Sequence, residues 1–375
     1  MKISIILTPR IGAIGKELAG SENMFFSDLK IIKKYFDIKA FARFQNIRPK
    51  VTKTCCLMFI VKFTNNLKFL GRYFKIVDKL SRFITDAIYI FSIYLKSPNS
   101  DVFFGYSSAI VSLIPFKKRI VFLHSYETFY FPSFFHSHYK NCSYIFCSKY
   151  LKNYFINKYK FINEENSTLL YNAVDKKIFY PIKQKKRIGN KIQLLFVSAW
   201  VKEKGLHILL ESILKLPLKK REKFSLTIAS SQNLWYEEKF NLDKIYLQKI
   251  NYLLSKMPDV KLLGGVRHIN MNKQYNKSDY LIFPSTWGEP CSLSLIESIF
   301  AGLPVIAFKV GGNQEILGKQ NSILIDTKSS EALAGVLKKI INKNKYFKKP
   351  LTNKKNKEMS TEIRTPKLIK IIKKV

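Results

Sequence analysis

Short apolar runs recur along this chain, each bounded by turn residues. Ile3-Ser4-Ile5-Ile6-Leu7 predicts a first buried strand, and Ser21–Tyr35 follows with helical spacing, Glu22 in its first turn and lysines at its end. Val102–Phe104, Ile120–Leu123, Tyr144–Phe146 and Thr168–Tyr171 predict further strands, with helical stretches between them. Runs that are apolar throughout, without alternation, suit parallel strands covered on both faces.

A basic, polar stretch interrupts the pattern at Pro181–Asn190 and predicts an interdomain linker at 181–191. The rhythm then restarts. Strands are expected at Gln193–Ser198, Phe224–Ala229, Val260–Leu263, Tyr280–Phe283 and Val305–Phe308. Helices are expected at Gly205–Leu214, Tyr246–Lys256, Met271–Asn276, Ser292–Ala301 and Ser330–Asn342. Repeated β-α alternation implies a doubly wound parallel sheet, and two such halves predict two Rossmann-like domains, at 1–180 and 192–342, with a cleft between them. Ligands of such sheets bind beyond the carboxyl ends of the strands. Residues 343–375 read as a basic tail whose last stretch, Lys367–Val375, is either a frayed end or a small amphipathic helix suited to a membrane surface.

At 375 residues, two domains and a sizeable core are affordable in length. The charge changes the picture more: 65 Lys and Arg against 26 Asp and Glu leave a net +39. Such a chain attracts anions, whether nucleic acid, acidic lipid or nucleotide diphosphates. A basic nucleic-acid-binding protein is one reading, but aromatic and basic residues are scattered and no binding module appears. A dehydrogenase is disfavoured because Gly12, Gly15 and Gly20 do not space as Gly-x-Gly-x-x-Gly. The five cysteines include no Cys-x-x-Cys pair, which fits a reducing, cytoplasmic setting better than zinc or a disulfide framework. The start of the chain lacks a signal-peptide apolar region, and no apolar run is long enough to span a bilayer. The longest candidates, Ile84–Leu95 and Val102–Phe116, read as buried helix or strand.

The chemistry concentrates in Phe283–Ile306. A buried strand ends at Pro284, a polar loop follows, and a helix starts near Ser292, a good N-cap residue. The orphan amides and dipole of such a helix start favour an anion, so a diphosphate can dock there. Glu297, in the second turn, is placed to accept hydrogen bonds from a ribose diol. Glu289, in the loop, would face a sugar. Gly302-Leu303-Pro304 closes the helix.

This stretch resembles the Glu-x7-Glu region of the family-4, group 1 glycosyltransferases, in the order strand, Pro-Ser, Glu-x7-Glu, Ala-x-Gly-x-Pro-Val-Ile. The following Val310-Gly311-Gly312-Asn313-Gln314-Glu315 resembles that family's Gly-Gly-x-x-Glu turn. Phe196–Gly205 is similar to its Gly-Arg-Leu…Glu-Lys-Gly element, and Asn172-Ala-Val-Asp175 with Phe179 and Pro181 to its Asn-Gly-Val-Asp…Phe-x-Pro element. Gly20-Ser21-Glu22 resembles the N-terminal Gly-Gly-x-Glu turn, and Ser148 the Ser that ends an inner strand.

The resemblance implies a GT-B fold and a retaining enzyme that uses a nucleotide-diphosphate sugar as donor, with no other cofactor. It implies catalysis by Glu289, His124 and Lys204, and donor binding by Glu297, Ser292, Leu293, Gly311 and Gly312. The family's usual Arg is Ala199 here, so Lys202 or Arg267 is the candidate second cation beside Lys204. Pro290 also replaces a residue that would donate a backbone N–H. Either departure is compatible with altered donor choice or with reduced or partner-dependent activity, and a nucleotide-sugar epimerase of the same fold is a further reading. No Asp-x-Asp is present, which points to a metal-independent site. The expected partners are the sugar donor and a glycan or lipid-linked acceptor, as in bacterial surface polysaccharide or lipopolysaccharide synthesis. Contact with an anionic membrane surface is expected, and nucleic acid is not. No role follows from the sequence for His136, His138, His207 or His268.

Overall fold

A computed structural model describes residues 1–7, 20–41, 75–182, 190–229, 244–318, 322–343 and 357–375. Gly12, Gly15, Cys55, Cys56, most of the linker and the start of the tail lie outside the described residues. The chain divides into two compact units, Met1–Tyr171 with Thr365–Val375, and Asn172–Arg364.

The first unit runs β1 (Lys2–Leu7), α1 (Gly20–Ile32), β2 (Asp37–Phe41), α2 (Lys75–Lys96), β3 (Val102–Tyr106), β4 (Lys118–Leu123), α3 (His136–Lys140), β5 (Ser143–Phe146), α4 (Lys149–Lys158) and β6 (Ser167–Leu169). Its six strands are parallel, in the order β2-β1-β3-β4-β5-β6. The interior strands are apolar because helices cover both faces: Phe103, Phe104, Ile120, Val121 and Phe122 are fully buried. Each such side chain contributes about 1.5–3 kcal/mol of burial energy. Ser148 opens α4, its hydroxyl accepting from the Leu151 amide at 3.1 Å.

The second unit runs β7 (Ile192–Phe196), α5 (Leu206–Leu214), α6 (Leu218–Arg221), β8 (Phe224–Ile228), α7 (Lys244–Ser255), β9 (Val260–Leu262), α8 (Met271–Lys277), β10 (Tyr280–Phe283), α9 (Leu293–Phe300), β11 (Val305–Phe308), α10 (Asn313–Leu317), β12 (Ser322–Ile325) and α11 (Ser330–Lys343). Its six parallel strands follow β12-β11-β10-β7-β8-β9. Strand order therefore reverses between β7 and β10, and loops leaving those two strands part there, opening a crevice at their carboxyl ends.

Three expectations change. The unit boundary falls at Asn172 rather than 180, because the Asn172–Pro181 stretch is built into the second unit. The Asn172 amide donates to the Cys291 carbonyl at 2.9 Å, Val174 bridges to Ser360, and Pro181 fills the space beside Gly302. The final residues are an ordered helix, α12 (Thr361–Lys374), with Leu368 and Ile372 fully buried. Ile84–Leu95 belongs to the 22-residue α2, and that helix is buried on one face only: Ile84, Phe91 and Leu95 are exposed.

Candidate active site

The loops beyond the carboxyl ends of β7 and β10 carry Lys204 and Glu289. After β7 the chain makes a 3₁₀ turn, Lys202–Lys204, that stops at Gly205 with φ +74°. A Cβ there would run into the carbonyl of Pro284, so only glycine lets this turn sit against the end of β10. The Glu203 carbonyl accepts from the Thr286 amide at 2.8 Å. This bond joins the two loops across 83 residues of sequence.

The joined loops bring Lys204 and Glu289 together. Lys204 Nζ donates to Glu289 Oε1 at 2.5 Å, and the Ser285 hydroxyl donates to the same oxygen at 2.7 Å. Glu289 is 5% exposed. A carboxylate this buried needs its partners. The Gly311-Gly312 turn closes over it: the Gly312 amide donates to the Glu289 carbonyl at 2.7 Å, and Gly311 has φ +53°. A Cβ on Gly311 would strike the Glu289 and Gly288 backbone.

Glu297, in the second turn of α9, has one partner on each oxygen and acceptor capacity left on both. His268 Nε2 lies 3.0 Å from Oε1, and the Tyr275 hydroxyl donates to Oε2 at 2.7 Å. Phe179 packs edge-on to His268 with ring centroids 5.0 Å apart. Burial lowers the basicity of His268, but the hydrogen bond and charge of Glu297 outweigh it and leave its pKa raised. Burial, reinforced by the Glu297 charge, pushes the Tyr275 phenol well above its ordinary range, so it acts as a neutral donor.

Ser292 holds the N-cap position of α9 in an extended conformation, yet its hydroxyl pairs with the Ser294 hydroxyl at 2.9 Å and not with a helix amide. Ser292 thus departs from the expected side-chain cap. The first-turn amides, including that of Leu293, have no cap from it, which suits an incoming anion. Lys202 and Arg267 are exposed at the rim of their loops. Arg267 opens the 3₁₀ turn that carries His268.

His124 belongs to the first unit, directly after β4. It is 8% exposed. Its Nδ1 lies 3.3 Å from the Ser107 hydroxyl, and its ring stacks on Tyr106 with centroids 4.5 Å apart. Ser107 has φ +51°, and its amide donates to the Phe122 carbonyl at 2.8 Å, which fixes the loop holding the histidine. The structure thus gathers Lys204, Glu289, Gly311 and Gly312 into one cluster and seats Glu297 in another on α9. His268 and Tyr275 had no signal in the sequence, lying 29 and 22 residues from the carboxylate they hold.

Residues 180–359 match the family model described as glycosyl transferases group 1. This part of the chain is a group 1 glycosyltransferase domain. An uncharacterized glycosyltransferase of Methanocaldococcus jannaschii is 26% identical over 217 residues, 55% of this chain and 52% of the relative. The chain thus spans about half the length of the curated relatives it matches. Sucrose-phosphate synthase from Thermosynechococcus elongatus superposes with a TM-score of 0.69 at 15% identity, covering 100% of this chain and 98% of that one. HepE of Anabaena, solved in complex with UDP-glucose, gives 0.68 at 15% identity, covering 100% of both chains. These likenesses show the fold, two Rossmann-like units of the GT-B kind, around the glycosyltransferase domain.

Proposed function

We propose that this chain is a retaining hexosyltransferase. It takes a hexosyl unit from a nucleotide-diphosphate sugar and passes it to a glycan or lipid-linked acceptor of a bacterial surface polysaccharide or lipopolysaccharide, at the inner face of the membrane. The observation that carries this reading is the pairing of Lys204 with buried Glu289 at the point where strand order reverses, beside the uncapped start of α9. Membership of residues 180–359 in the group 1 family supports it, as does the UDP-glucose in the HepE structure.

In this reading the α9 amides and Lys204 take the diphosphate, and Glu297 takes the ribose hydroxyls. Sugar transfer expels a nucleotide diphosphate, so negative charge grows on the leaving oxygen and fixed donors must meet it. Lys204 does this from a position already set by Glu289. Glu289 in turn accepts hydroxyls of the hexose, while Gly311 and Gly312 allow backbone to approach the sugar closely. Lys202 and Arg267 supply the charge that Ala199 does not. His124 faces the acceptor.

A thermal-shift panel of uridine, guanosine and adenosine diphosphate sugars tests this. One donor should raise the melting temperature by mass action, and Glu297→Ala should weaken that response while Glu289→Ala suppresses transfer. If no nucleotide sugar stabilises the folded chain, the donor-site reading fails.

A further inference from the structure

The two donors to Glu297 come from one short stretch of chain laid against α9. His268 sits in the 3₁₀ turn His268–Asn270, and Tyr275 in the second turn of α8. Phe179, itself buried, packs edge-on to both rings, with centroids 5.0 Å from His268 and 6.1 Å from Tyr275. Tyr275 is fully buried, and the His268 side chain is 35% exposed. Packing therefore sets where both donors stand, independently of the bonds they make.

A glutamate without such partners turns easily about its last side-chain bond, because that torsion is broad and two-fold. Here Tyr275 holds Oε2 at 2.7 Å and His268 holds Oε1 at 3.0 Å, so the carboxylate plane cannot turn without breaking a bond. An ionised carboxylate only accepts, so His268 Nε2 carries a proton whether its ring is neutral or charged, and the neutral Tyr275 phenol donates likewise. Of about four lone-pair sites on the two oxygens, these donors fill two and leave one on each. Glu289 differs: it takes Lys204 and Ser285 on the same oxygen, Oε1.

One remaining site on each oxygen of a single carboxylate is the acceptor pattern for a vicinal diol. Two hydroxyls on neighbouring carbons can donate side by side to the two oxygens, as the paired N–H groups of a guanidinium do. A fixed plane offers both acceptors at once, whereas a turning one trades the first against the second. A ribonucleotide carries such a diol at its 2′ and 3′ positions. A 2′-deoxyribonucleotide brings one hydroxyl to the same place and leaves one oxygen of a buried carboxylate without its partner, which is costly.

We propose that Tyr275 and His268 are positioning residues that make Glu297 select nucleotide-diphosphate sugars with an intact ribose 2′,3′-diol, and reject donors built on 2′-deoxythymidine diphosphate. The proposal rests on the reading of Glu297 as the ribose carboxylate and deepens it by naming the class of nucleotide. With either donor removed, the carboxylate turns, meets a lone 3′-hydroxyl nearly as well as a diol, and loses its discrimination.

The full chain is titrated calorimetrically with UDP, GDP and ADP and with the 2′-deoxy form of each, and the affinities are compared as a ratio within each pair. For the nucleotide that binds, wild type should prefer the ribose form by at least about tenfold. Tyr275→Phe should cut that ratio to about threefold or less, mainly through weaker binding of the ribose form. His268→Leu, at a part-exposed position, should act in the same way, while His268→Gln, which keeps an N–H donor, should hold the ratio within about twofold of wild type. A general loosening of the site would weaken both forms alike and leave the ratio unmoved. Equal binding of both forms by wild type, an unchanged ratio in both Tyr275→Phe and His268→Leu, or a ratio abolished by His268→Gln would each overturn the proposal. If no nucleotide binds, the donor-site reading fails and this one with it; binding that ignores the 2′-hydroxyl sinks this one alone.

Discussion

Removing Lys204 should cost more stability than neutralising Glu289. The two groups are 2.5 Å apart, with side chains 18% and 7% exposed respectively. At an effective dielectric of 20, unit charges at that separation attract by roughly 6–7 kcal/mol, most of which desolvation cancels. Lys204→Met strands a buried carboxylate, and breaking a buried pair in this way costs about 3–5 kcal/mol. Ser285 still donates to Glu289 Oε1, which places the loss near the lower end, about 3 kcal/mol. Glu289→Gln leaves the cation, which has the more open path to water, and keeps an oxygen for both donors. Its loss should be about 1 kcal/mol. For a domain of this size the melting temperature should fall by roughly 6–12 °C in Lys204→Met and 2–4 °C in Glu289→Gln. Differential scanning calorimetry of the full chain reads both, on the transition that a bound nucleotide sugar raises. If Glu289→Gln proves equally or more destabilising, the carboxylate is not the group that depends on its partner, and the account of the pair is wrong.

Three further outcomes follow from the same site. His268 has a raised pKa in the folded chain, so its stabilising pair with Glu297 is fully present below the ordinary histidine value of about 6.5 and fades as pH rises through the raised value. The melting temperature of wild type minus that of His268→Gln should therefore shrink between about pH 6 and pH 8; a constant difference would contradict the charge on His268. Tyr275→Phe removes the donor to Glu297 Oε2 and should cost about 1–3 kcal/mol by urea unfolding, with weaker donor binding; unchanged midpoint and affinity would clear Tyr275 of any part in holding the carboxylate. Gly311→Ala should abolish most transfer activity and destabilise more than Gly318→Ala. Both glycines have positive φ, but only the Cβ at 311 meets backbone, that of Glu289. Equal losses in the two variants would show that Gly311 matters for its dihedral alone.

The sequence by itself determined the interior of both sheets and the order of the chemical elements. β3, β4, β5, β7, β8, β10 and β11 were legible because strands covered on both faces must be apolar throughout. β2 and β12 were not: both lie at sheet edges, and Asp37 and Lys39 break the apolar run of β2, whereas the edge strands β6 and β9 were still expected from their short apolar runs. Glu289 and Glu297 were legible because strand, loop and helix are contiguous in the chain. Their partners were not: Lys204 lies 85 residues from Glu289, and which lysine reaches it depends on the turn at Gly205 fitting the end of β10. His268 and Tyr275 come from another loop and helix and carry no motif. The same limit governed α2 and the C-terminal helix. An apolar or basic periodicity reports that a helix has faces, but only the packing of neighbours decides which face is covered, and that is a property of the folded chain.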